Sequence, residues 1–553
     1  MLPKLNIKEN KNASLKIFGG LDRRDKISDI SFTDMTNISP DALPAIKPRE
    51  PRKKITDLTS AATVCSPEIT SDELSSFTGI ANNKFYYNGT LISGTLTEGK
   101  KSIADFNGKI CIFPDKVYYD YNPDPETGVV GNSLVSMERA MTVKNAKFYS
   151  FLDEVTGSYT AYISSISVKF LSYFAEGDSI VISGCSKYYN NTVTAAERKE
   201  TVAANAIVSA VVTSVSDNKL SLILYNNSGE KVGFESTVEA NTVTLKIAVP
   251  DMDNICVHNN RLWGTSTNGE YVYASKLGDC TNFNSFQGLA NDSWYSYIAT
   301  GGQFTGICSY RTSVIVFKQN YIHHIYGDAP TNFSIPKHTY GGCIDGKSIC
   351  EIEGILYYLT NNGFYAYSGG EPYSVSPQLN AKYSSCAAGT DGRHYYASAI
   401  REDGTCEVLV YSPEKDIWVR EDDTPFVDFC LYNGKIYGIT SDKMMMLCGG
   451  DENFTWQTIS KRFTYDATDY KGLSCIWLRM ELDNNSEVAV SVSKDNNEFE
   501  LCDTISGNGE FSVYRVPIRF GKCNSFRIML EGTGNATVHD IEIKSYNGGR
   551  IYG

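Results

Sequence analysis

The chain has 553 residues, which is too long for a single hydrophobic core, because such cores rarely grow beyond about 250–300 residues. Its formal net charge is −13, with 51 Lys and Arg against 64 Asp and Glu, so the surface as a whole is a poor match for nucleic-acid phosphates. Tyrosine (36) and phenylalanine (25) far outnumber tryptophan (5), and tyrosine favours β-strands.

The cysteines indicate a reducing compartment. There are 15 of them, an odd number, and no two form a C-x-x-C pair. They are scattered through strand-like runs, as at Cys111, Cys308, Cys430 and Cys475, which is typical of buried thiols and not of a disulfide framework. The sequence shows neither an apolar signal segment at its start nor a run of about 18 apolar residues, so we expect no membrane span.

The first segment, residues 1–54, has no clear hydrophobic period and is predicted to be an extended N-terminal arm. Four apolar residues within it could anchor the arm on neighbouring subunits, and we expect the arm to be ordered by such contacts: Ile27, Ile30, Phe32 and Met35. A basic run ends the arm, consisting of Lys47, Arg49, Arg52, Lys53 and Lys54. We expect this run at a subunit contact, against acidic loops such as Glu421–Asp423.

Residues 55–131 and 251–455 repeat one pattern, in which two short aromatic strands flank a polar turn. The stretch "KFYYNGTLISG" contains Asn88-Gly89, a strong hairpin dipeptide, and "GILYYLTNNGFYAYSGGEPYSVS" at residues 354–376 repeats the arrangement. Successive hairpins are spaced by roughly 40–50 residues, which is the spacing of propeller blades. The two ranges therefore predict one discontinuous β-propeller of about six blades.

Two further domains are predicted. Residues 132–250 lose the tyrosine hairpins and become rich in Val, Ser and Thr, which indicates a small β-barrel-like domain inserted into the propeller, beginning with a short helix at 133–143. Residues 456–553 alternate apolar and polar residues at a period of two, which is typical of a β-sandwich. The predicted fold class is all-β: a β-propeller with an inserted small β-barrel-like domain and a C-terminal β-sandwich.

Two motifs match the patterns of ligand-binding loops. Gly341–Ser348 satisfies the P-loop expression G-x-x-x-x-G-K-S, but the β-branched and aromatic residues that follow predict a strand where a phosphate site needs a helix. Asp120, Asn122 and Asp124 resemble a calcium loop, yet Pro125 takes the place of its turn glycine and Gly131 that of its bidentate glutamate. We interpret both segments as structural loops.

Other candidate residues also favour structural roles. His323 and His324 are adjacent on a strand, so they point to opposite faces and cannot bind one metal ion. Glu421–Asp423 is interpreted as a solvated loop, and Ser493–Asp495 lacks the residues that complete a sialidase Asp-box. Tyr411–Arg420 resembles a kelch-type Y-x-P-x-x-x-x-W and supports the propeller alone. We therefore predict no catalytic, cofactor-binding or metal-binding residues, no cofactor, and no enzyme activity.

Three stretches of the chain, in this order, resemble structural proteins of tailed bacteriophages. The first combines a glycine pair, a D-M-x-N segment and a closing P-R, here Gly19-Gly20, Asp34–Asn37 and Pro48-Arg49. The second, residues 273–335, is similar to a blade of tail-hub, nozzle and packaged-DNA-stabilisation propellers, although Cys280 and Phe283 stand where Pro and Trp are usual. The third, "LRMEL…VSVSKD…FRIMLEGTG", resembles the sandwich that closes such proteins.

The resemblance implies a structural virion protein that is synthesised in the bacterial cytoplasm and forms a ring in the phage tail, as a hub, a nozzle or a DNA-stabilising adaptor. It implies a homo-oligomer, with a hexamer favoured, in contact with neighbouring tail, adaptor or portal proteins. Double-stranded DNA would pass through the ring with only transient contact, and the acidic charge suits such a channel.

Two other functions remain open from the sequence. A receptor- or carbohydrate-binding propeller of a tail appendage would use exposed Tyr and Trp to stack on sugars. A glycan-cleaving propeller enzyme would need two carboxylates that converge near the propeller axis, and the sequence does not place residues around that axis.

Overall fold

The structure is a computed structural model that describes residues 10–58, 62–70, 73–153, 158–185, 188–190, 206–225, 231–234, 237–238, 242–336, 338–465, 470–519 and 521–549. The chain divides into two compact units, Met1–Leu91 with Cys343–Gly553 (unit 1) and Ile92–Gly342 (unit 2). Throughout the described residues the secondary structure is β, with three short 3₁₀ turns at Phe170–Ser172, Gly346–Ser348 and Pro377–Leu379. The prediction of an all-β chain is confirmed.

Among the described residues, seven antiparallel sheets of four strands share one strand order, in which each strand pairs with the next. Unit 1 contains four of them: sheet 1 (Ala62–Thr70, Glu73–Ala81, Lys84–Tyr87, Thr90–Leu91), sheet 5 (Cys350–Ile352, Ile355–Thr360, Gly363–Tyr367, Tyr373–Ser374), sheet 6 (Tyr383–Thr390, Tyr395–Arg401, Cys406–Ser412, Ile417–Arg420) and sheet 7 (Asp428–Tyr432, Lys435–Ile439, Lys443–Met446, Lys53–Asp57). The first strands of sheets 5, 6, 7 and 1 lie next to one another in that order.

Unit 2 contains the other three sheets of this kind: sheet 2 (Ser102–Phe106, Lys109–Phe113, Val117–Asp120, Val135–Ser136), sheet 3 (Met252–His258, Arg261–Ser266, Tyr271–Ala274, Trp294–Tyr297) and sheet 4 (Phe304–Tyr310, Ser313–Lys318, Tyr321–Ile325, His338–Tyr340). The first strand of sheet 3 lies beside the first strands of sheets 2 and 4. The sequence predicted about six repeats from a spacing of roughly 45 residues, and the described residues contain seven such sheets. Sheet 7 takes its outer strand, Lys53–Asp57, from the N-terminal segment.

The hairpins that the sequence predicted are present. Asn88 and Gly89 both have positive φ, 45° and 75°, as a two-residue type I′ turn requires, and they join Lys84–Tyr87 to Thr90–Leu91. Asn361-Asn362 occupies the turn between Ile355–Thr360 and Gly363–Tyr367. The dipeptide signals succeeded here because the φ angles of a tight turn select the residue types locally.

The segment between Arg139 and Ile247 forms a ten-stranded sheet within unit 2, inside the range predicted as an insertion. Its strands are Arg139–Lys144, Lys147–Asp153, Ser158–Ser164, Ser179–Cys185, Tyr188–Asn190, Ala206–Ser216, Lys219–Tyr225, Lys231–Phe234, Thr237–Val238 and Thr242–Ile247. They bury a separate apolar core that includes Phe170, Ile180 and Leu222. The helix predicted at 133–143 is wrong: its residues form parts of two strands, because alternate side chains such as Met141 and Val143 point into this core.

Two further sheets of unit 1 enclose one core at the C-terminal end of the chain. The first contains Asn10–Leu15, Ala536–Gly549, Tyr470–Leu482 and Phe511–Pro517, and the second contains Phe32–Thr36, Thr455–Ser460, Phe526–Thr533, Glu487–Lys494 and Glu500–Ser506. Strict alternation in Glu487–Lys494 places Val488, Val490 and Val492 in the core. The period-two pattern of the sequence therefore identified these strands correctly.

The N-terminal segment does not extend freely from the rest of the chain. Asn10–Leu15 pairs with Ala536–Gly549, and Phe32–Thr36 pairs with Thr455–Ser460. Eight apolar side chains of this segment are buried in the core shared by the two C-terminal sheets and sheets 5 and 6: Leu15, Phe18, Leu21, Phe32, Met35, Ile38, Leu43 and Ile46. Of the predicted anchors, Phe32 and Met35 thus pack within their own chain. The strand with which they pair lies more than 400 residues away in sequence.

None of the helices in the described part of the chain is long and apolar enough to span a membrane.

The burial of the N-terminal segment leads to a prediction for stability. Met35→Ala is expected to lower the free energy of unfolding by about 2–5 kcal/mol, because the side chain is completely buried and its loss leaves a cavity. Ile17→Ala, at a side chain that is 59% exposed, is the matched control and is expected to change it by less than about 0.5 kcal/mol. Urea unfolding of the full chain measures both. Equal, small effects would show that the segment is not part of the core.

Candidate functional site

The basic run at the end of the N-terminal segment contains two buried arginines. Pro51 separates Arg49 from Arg52, and the outer strand of sheet 7 begins at Lys53. Both guanidinium groups are almost completely shielded from solvent, with side-chain exposures of 4% and 2%. By contrast, Lys54 forms an exposed pair with Asp57. The run is therefore two different features, a buried arginine pair and an exposed lysine.

The partners of the two arginines are acidic residues that follow sheet 6 and sheet 7. Arg52 contacts Glu421 and Asp422, each at 2.6 Å, and Arg49 contacts Glu452 at 3.0 Å. These five residues are called the arginine cluster below. Glu421 is 5% exposed, so the prediction of a solvated acidic loop is wrong: two of its three carboxylates neutralise buried arginines. The expected pairing of the basic run with this acidic stretch is present, but inside one chain.

The charged groups of the arginine cluster stabilise one another in their ionised forms. Burial opposes the charge on Arg52, but the carboxylates of Glu421 and Asp422 more than offset it and raise its pKa above the ordinary value. Burial likewise opposes the charge on Asp422, while Arg52 and a hydrogen bond from Thr424 lower the pKa of its carboxyl group. Arg52 and Asp422 therefore stay ionised near neutral pH, and neither is poised to exchange a proton.

A second buried carboxylate, Glu407 on sheet 6, binds the N-terminal segment from another side. Arg23 donates two hydrogen bonds to its two oxygens, at 3.0 and 2.9 Å, and Tyr383 donates a third at 2.6 Å. Burial would raise the pKa of Glu407, but its bonds to Arg23 and Tyr383 lower it. Burial and the adjacent carboxylate raise the pKa of Tyr383. This carboxylate has its acceptor positions occupied and is not available to a substrate.

The P-loop-like segment does not form a phosphate site in the part that belongs to unit 1. Gly346–Ser348 is a single 3₁₀ turn, and the strand Cys350–Ile352 follows it in place of a helix. Lys347 Nζ donates to the carbonyl oxygen of Val427 at 3.0 Å, and Ser348 Oγ donates to that of Asp345. The side chains that would bind phosphate and magnesium in a P-loop are instead used structurally: Lys347 holds the loop to the residue before sheet 7, and Ser348 closes the turn itself.

The calcium-like loop is an exposed turn. Asp124 Oδ1 accepts hydrogen bonds from the amides of Glu126 and Thr127, both at 2.8 Å, and these bonds lower the pKa of its carboxyl group. Asp120 accepts in the same way from Asn122. Their oxygens thus cap the turn, and no group of three metal-binding side chains occurs anywhere in the described residues.

The histidine pair behaves as its alternation on the strand predicts. His323 contacts Thr300 Oγ1 at 2.8 Å on one face of sheet 4, whereas His324 stacks on Tyr326 on the other. Burial, together with the neighbouring His338 and Lys318, lowers the pKa of His323 to about 4. The side chain is therefore a neutral member of the core at physiological pH.

Two remaining motifs also have structural roles. Trp418, in the kelch-like stretch, is fully buried and donates from Nε1 to the carbonyl oxygen of Val375 at 2.7 Å. Asp495, in the Asp-box-like stretch, accepts from the amides of Asn524 and Ser525 at 2.8 Å and thereby fixes the turn beside it.

Sequence reasoning missed a cavity of about 720 Å³ within unit 1. Its walls come from three segments that are distant in sequence: residues 47–51, 451–455 and 533–535. The first segment was assigned to the arm, and nothing local in it indicates a concave site. The one sequence pattern that could have indicated the cavity is "DENF" at 451–454, where polar residues and an aromatic residue directly precede the strand Thr455–Ser460.

Neither the known family models nor the curated proteins contain a match to this chain. Among solved structures, Hsv2 of Kluyvelomyces marxianus is 10% identical over 59% of this chain and 96% of its own, with a TM-score of 0.20. The exo-beta-1,3-galactanase of Phanerochaete chrysosporium is 9% identical over 88% of this chain and 99% of its own, with a TM-score of 0.18. TM-scores this low carry no conclusion about fold or activity.

The arginine cluster gives a prediction with an internal control. Arg52→Met is expected to lower the free energy of unfolding by about 3–5 kcal/mol, because it leaves the carboxylates of Glu421 and Asp422 partly or fully buried without their cation. Lys54→Met removes an ion pair with Asp57 in which both side chains are exposed, at 57% and 74%, and is expected to cost less than about 1 kcal/mol. Chemical denaturation of the two variants tests the difference, and an Arg52→Met protein as stable as Lys54→Met would contradict it.

His323 gives a prediction for pH. Its pKa is about 4 in the folded protein and about 6.5 in the unfolded chain, so between these values the unfolded chain binds more protons. Its contribution to stability is therefore complete above pH 6.5 and is lost progressively as the pH falls towards 4. Thermal unfolding between pH 7.5 and 4.5 is expected to show a shallower pH dependence in His323→Gln than in the unchanged protein. Identical slopes would refute this assignment.

Proposed function

We propose that this chain is a structural virion protein of a tailed bacteriophage, which forms a homo-oligomeric ring around the DNA channel of the tail and has no enzymatic role. It would be made in the bacterial cytoplasm and act in the virion as a hub, nozzle or DNA-stabilising adaptor. The observation that carries the proposal is the position of the motif residues in the first phage-like stretch. They are the joints that hold the N-terminal segment in unit 1.

Asn37, which ends the D-M-x-N segment, bonds directly to Arg49 of the P-R pair. It adopts a left-handed conformation with φ of 57°, which asparagine tolerates better than most residues. Its Oδ1 accepts from Arg49 Nε at 2.8 Å, and its Nδ2 donates to the carbonyl oxygen of Thr455 at 2.9 Å. Two parts of the motif that lie 12 residues apart are therefore one structural feature.

The glycine pair has an equally specific role. A Cβ atom on Gly20 would overlap Ile417 Cγ2 and the carbonyl oxygen of Trp418, so only glycine lets the segment approach sheet 6 this closely. The next residue, Leu21, donates its amide to the Trp418 carbonyl oxygen at 2.8 Å. Motif residues that serve architecture, and not a cleft, are what the resemblance to assembly proteins leads us to expect.

The fold that accompanies this proposal is a β-propeller. The seven four-stranded sheets would be its blades, with the ten-stranded sheet as an inserted barrel-like domain and the last two sheets as a C-terminal sandwich. The repeated strand order and the adjacent first strands within each unit support this arrangement.

Exposed aromatic residues of unit 2 support an assembly role. Tyr295 and Tyr297 lie on the outer strand of sheet 3 and are 54% and 59% exposed, and Phe286 and Leu289 beside them are about half exposed. Phe286 packs edge-on against Tyr295 with ring centroids 5.7 Å apart. Such a patch is a contact surface by its chemistry, because exposed apolar groups that cluster gain most from being covered.

The charges of the chain suit the proposed channel. The net charge is −13 and the cations of Arg49 and Arg52 are already paired with carboxylates, so the protein as a whole repels a passing polyanion. Contact with double-stranded DNA would then be transient and salt-sensitive, which ejection of a genome requires. Contacts with neighbouring tail, adaptor or portal proteins belong to the same proposal.

Electron microscopy combined with sedimentation of the purified full chain tests the proposal. We expect a closed ring, with a hexamer favoured, and we expect Tyr295→Ser/Tyr297→Ser to remain folded but to lose the ring, because the patch is weakened. Tyr149→Ser, at another tyrosine that is 41% exposed, is the control and should keep the ring. A chain that remains monomeric, and that antibody labelling does not find on phage tails, would refute the proposed function.

A further inference from the structure

The cavity of about 720 Å³ in unit 1 is not used by the proposed function. Residues 47–51 form one wall, residues 451–455 the second, and the turn at residues 533–535 the third. Its volume falls in the range of about 300–1,000 Å³ that is usual for small-molecule sites. All three walls belong to the same compact unit.

The base of the cavity is rigid. Arg49 Nε binds Asn37, and its Nη1 donates to the carbonyl oxygen of Glu50 at 2.9 Å and to Glu452 at 3.0 Å. The same guanidinium group lies 4.2 Å from the ring centre of Phe454. Because these side chains are already fixed, a ligand would lose little free energy in ordering them.

The turn that forms the third wall is also fixed. Gly534 has φ of 72°, and a Cβ atom there would come within 2.5 Å of Ser486 Oγ. Asn535 donates to Asp483 Oδ2 at 3.1 Å. The wall therefore keeps its position without a ligand.

Three polar side chains of the lining are unused. Lys47, Asp451 and Asn453 are exposed, and in the described part of the chain their side chains have neither a hydrogen bond nor an ion pair. Together they offer a cation, a carboxylate and an amide, which can donate to and accept from a ligand rich in hydroxyl groups. Phe454, which is half-buried, adds an apolar surface next to them.

The charges of the lining exclude an anion as the preferred ligand. Lys47 and Arg49 are outnumbered by Glu50, Asp451 and Glu452, which gives two positive charges against three negative ones. A phosphate or sulfate would therefore meet net repulsion. A metal ion is also excluded as the ligand, because no set of three suitable side chains is found among the residues described here.

We propose that this cavity binds a neutral oligosaccharide. Asp451 and Asn453 would bind adjacent hydroxyl groups of one sugar ring, and C–H groups of that ring would contact the solvent-exposed part of Phe454, beside the guanidinium group of Arg49. Carboxylates and amides are planar groups with two polar atoms each, a geometry that matches a pair of neighbouring hydroxyls. Binding of a sugar in this cavity and formation of the proposed ring are separate properties, so either one can be present without the other.

The test is calorimetric titration of the full chain with neutral oligosaccharides of glucose, galactose and N-acetylglucosamine, a sulfated oligosaccharide and a tetralysine peptide. We expect at least one neutral oligosaccharide to bind and the sulfated one not to bind. Asp451→Ala/Asn453→Ala is expected to weaken binding by about tenfold or more, because two hydrogen bonds to the sugar are lost. Both side chains are exposed, so the change should leave the fold intact.

Two further variants make the result specific. Thr533→Trp should abolish binding by filling the cavity while leaving its charged and amide groups in place. Asp403→Ala, at an exposed carboxylate in a turn of sheet 6, should leave binding unchanged. The proposal is overturned if no neutral oligosaccharide binds, if tetralysine alone binds, or if binding survives both the double variant and Thr533→Trp. None of these outcomes depends on whether the chain forms a ring.

Discussion

The ion pairs of Arg52 with Glu421 and Asp422 are the constraint on which unit 1 depends. They lie where the N-terminal segment must turn from the core of the last two sheets into the outer strand of sheet 7. A buried arginine without its carboxylates would be strongly destabilising, so the segment has only one acceptable position at this point. Burial of Phe32, Met35 and Ile46 then supplies the free energy that holds the segment there.

Buried charges add little net stability compared with apolar side chains of similar size, so their value here lies in specificity. Four sheets of unit 1 share one strand order, and strands with similar patterns could pair in a wrong register or with a wrong sheet. Arg52 pairs with the acidic residues that follow sheet 6, and Arg23 pairs with Glu407 within that sheet. Two charged contacts on different sides of the segment thereby select one arrangement among several apolar alternatives.

How far the sequence could predict this protein depended on the distance over which each feature is determined. The Asn88-Gly89 turn, the alternating strand Glu487–Lys494 and the strand after Ser348 are set by neighbouring residues, and all three were predicted correctly. The position of the N-terminal segment and the burial of Glu421 depend on partners about 370–430 residues away, and local patterns carry no information about them. The pairing of Lys53–Asp57 with Lys443–Met446 in sheet 7 was not predicted for the same reason, because the two strands are almost 400 residues apart in sequence.

The candidate cavity shows why such sites are the last features to be recognised. Each of its walls has a local structural explanation: Arg49 completes the joint with Asn37, and Gly534 permits a tight turn. The concave surface exists only where the three walls come together. They come together because the N-terminal segment packs against the C-terminal sheets. The fixed joint that gives unit 1 its architecture therefore also builds the cavity, and any ligand of the cavity would bind a surface whose shape is already determined by buried charge.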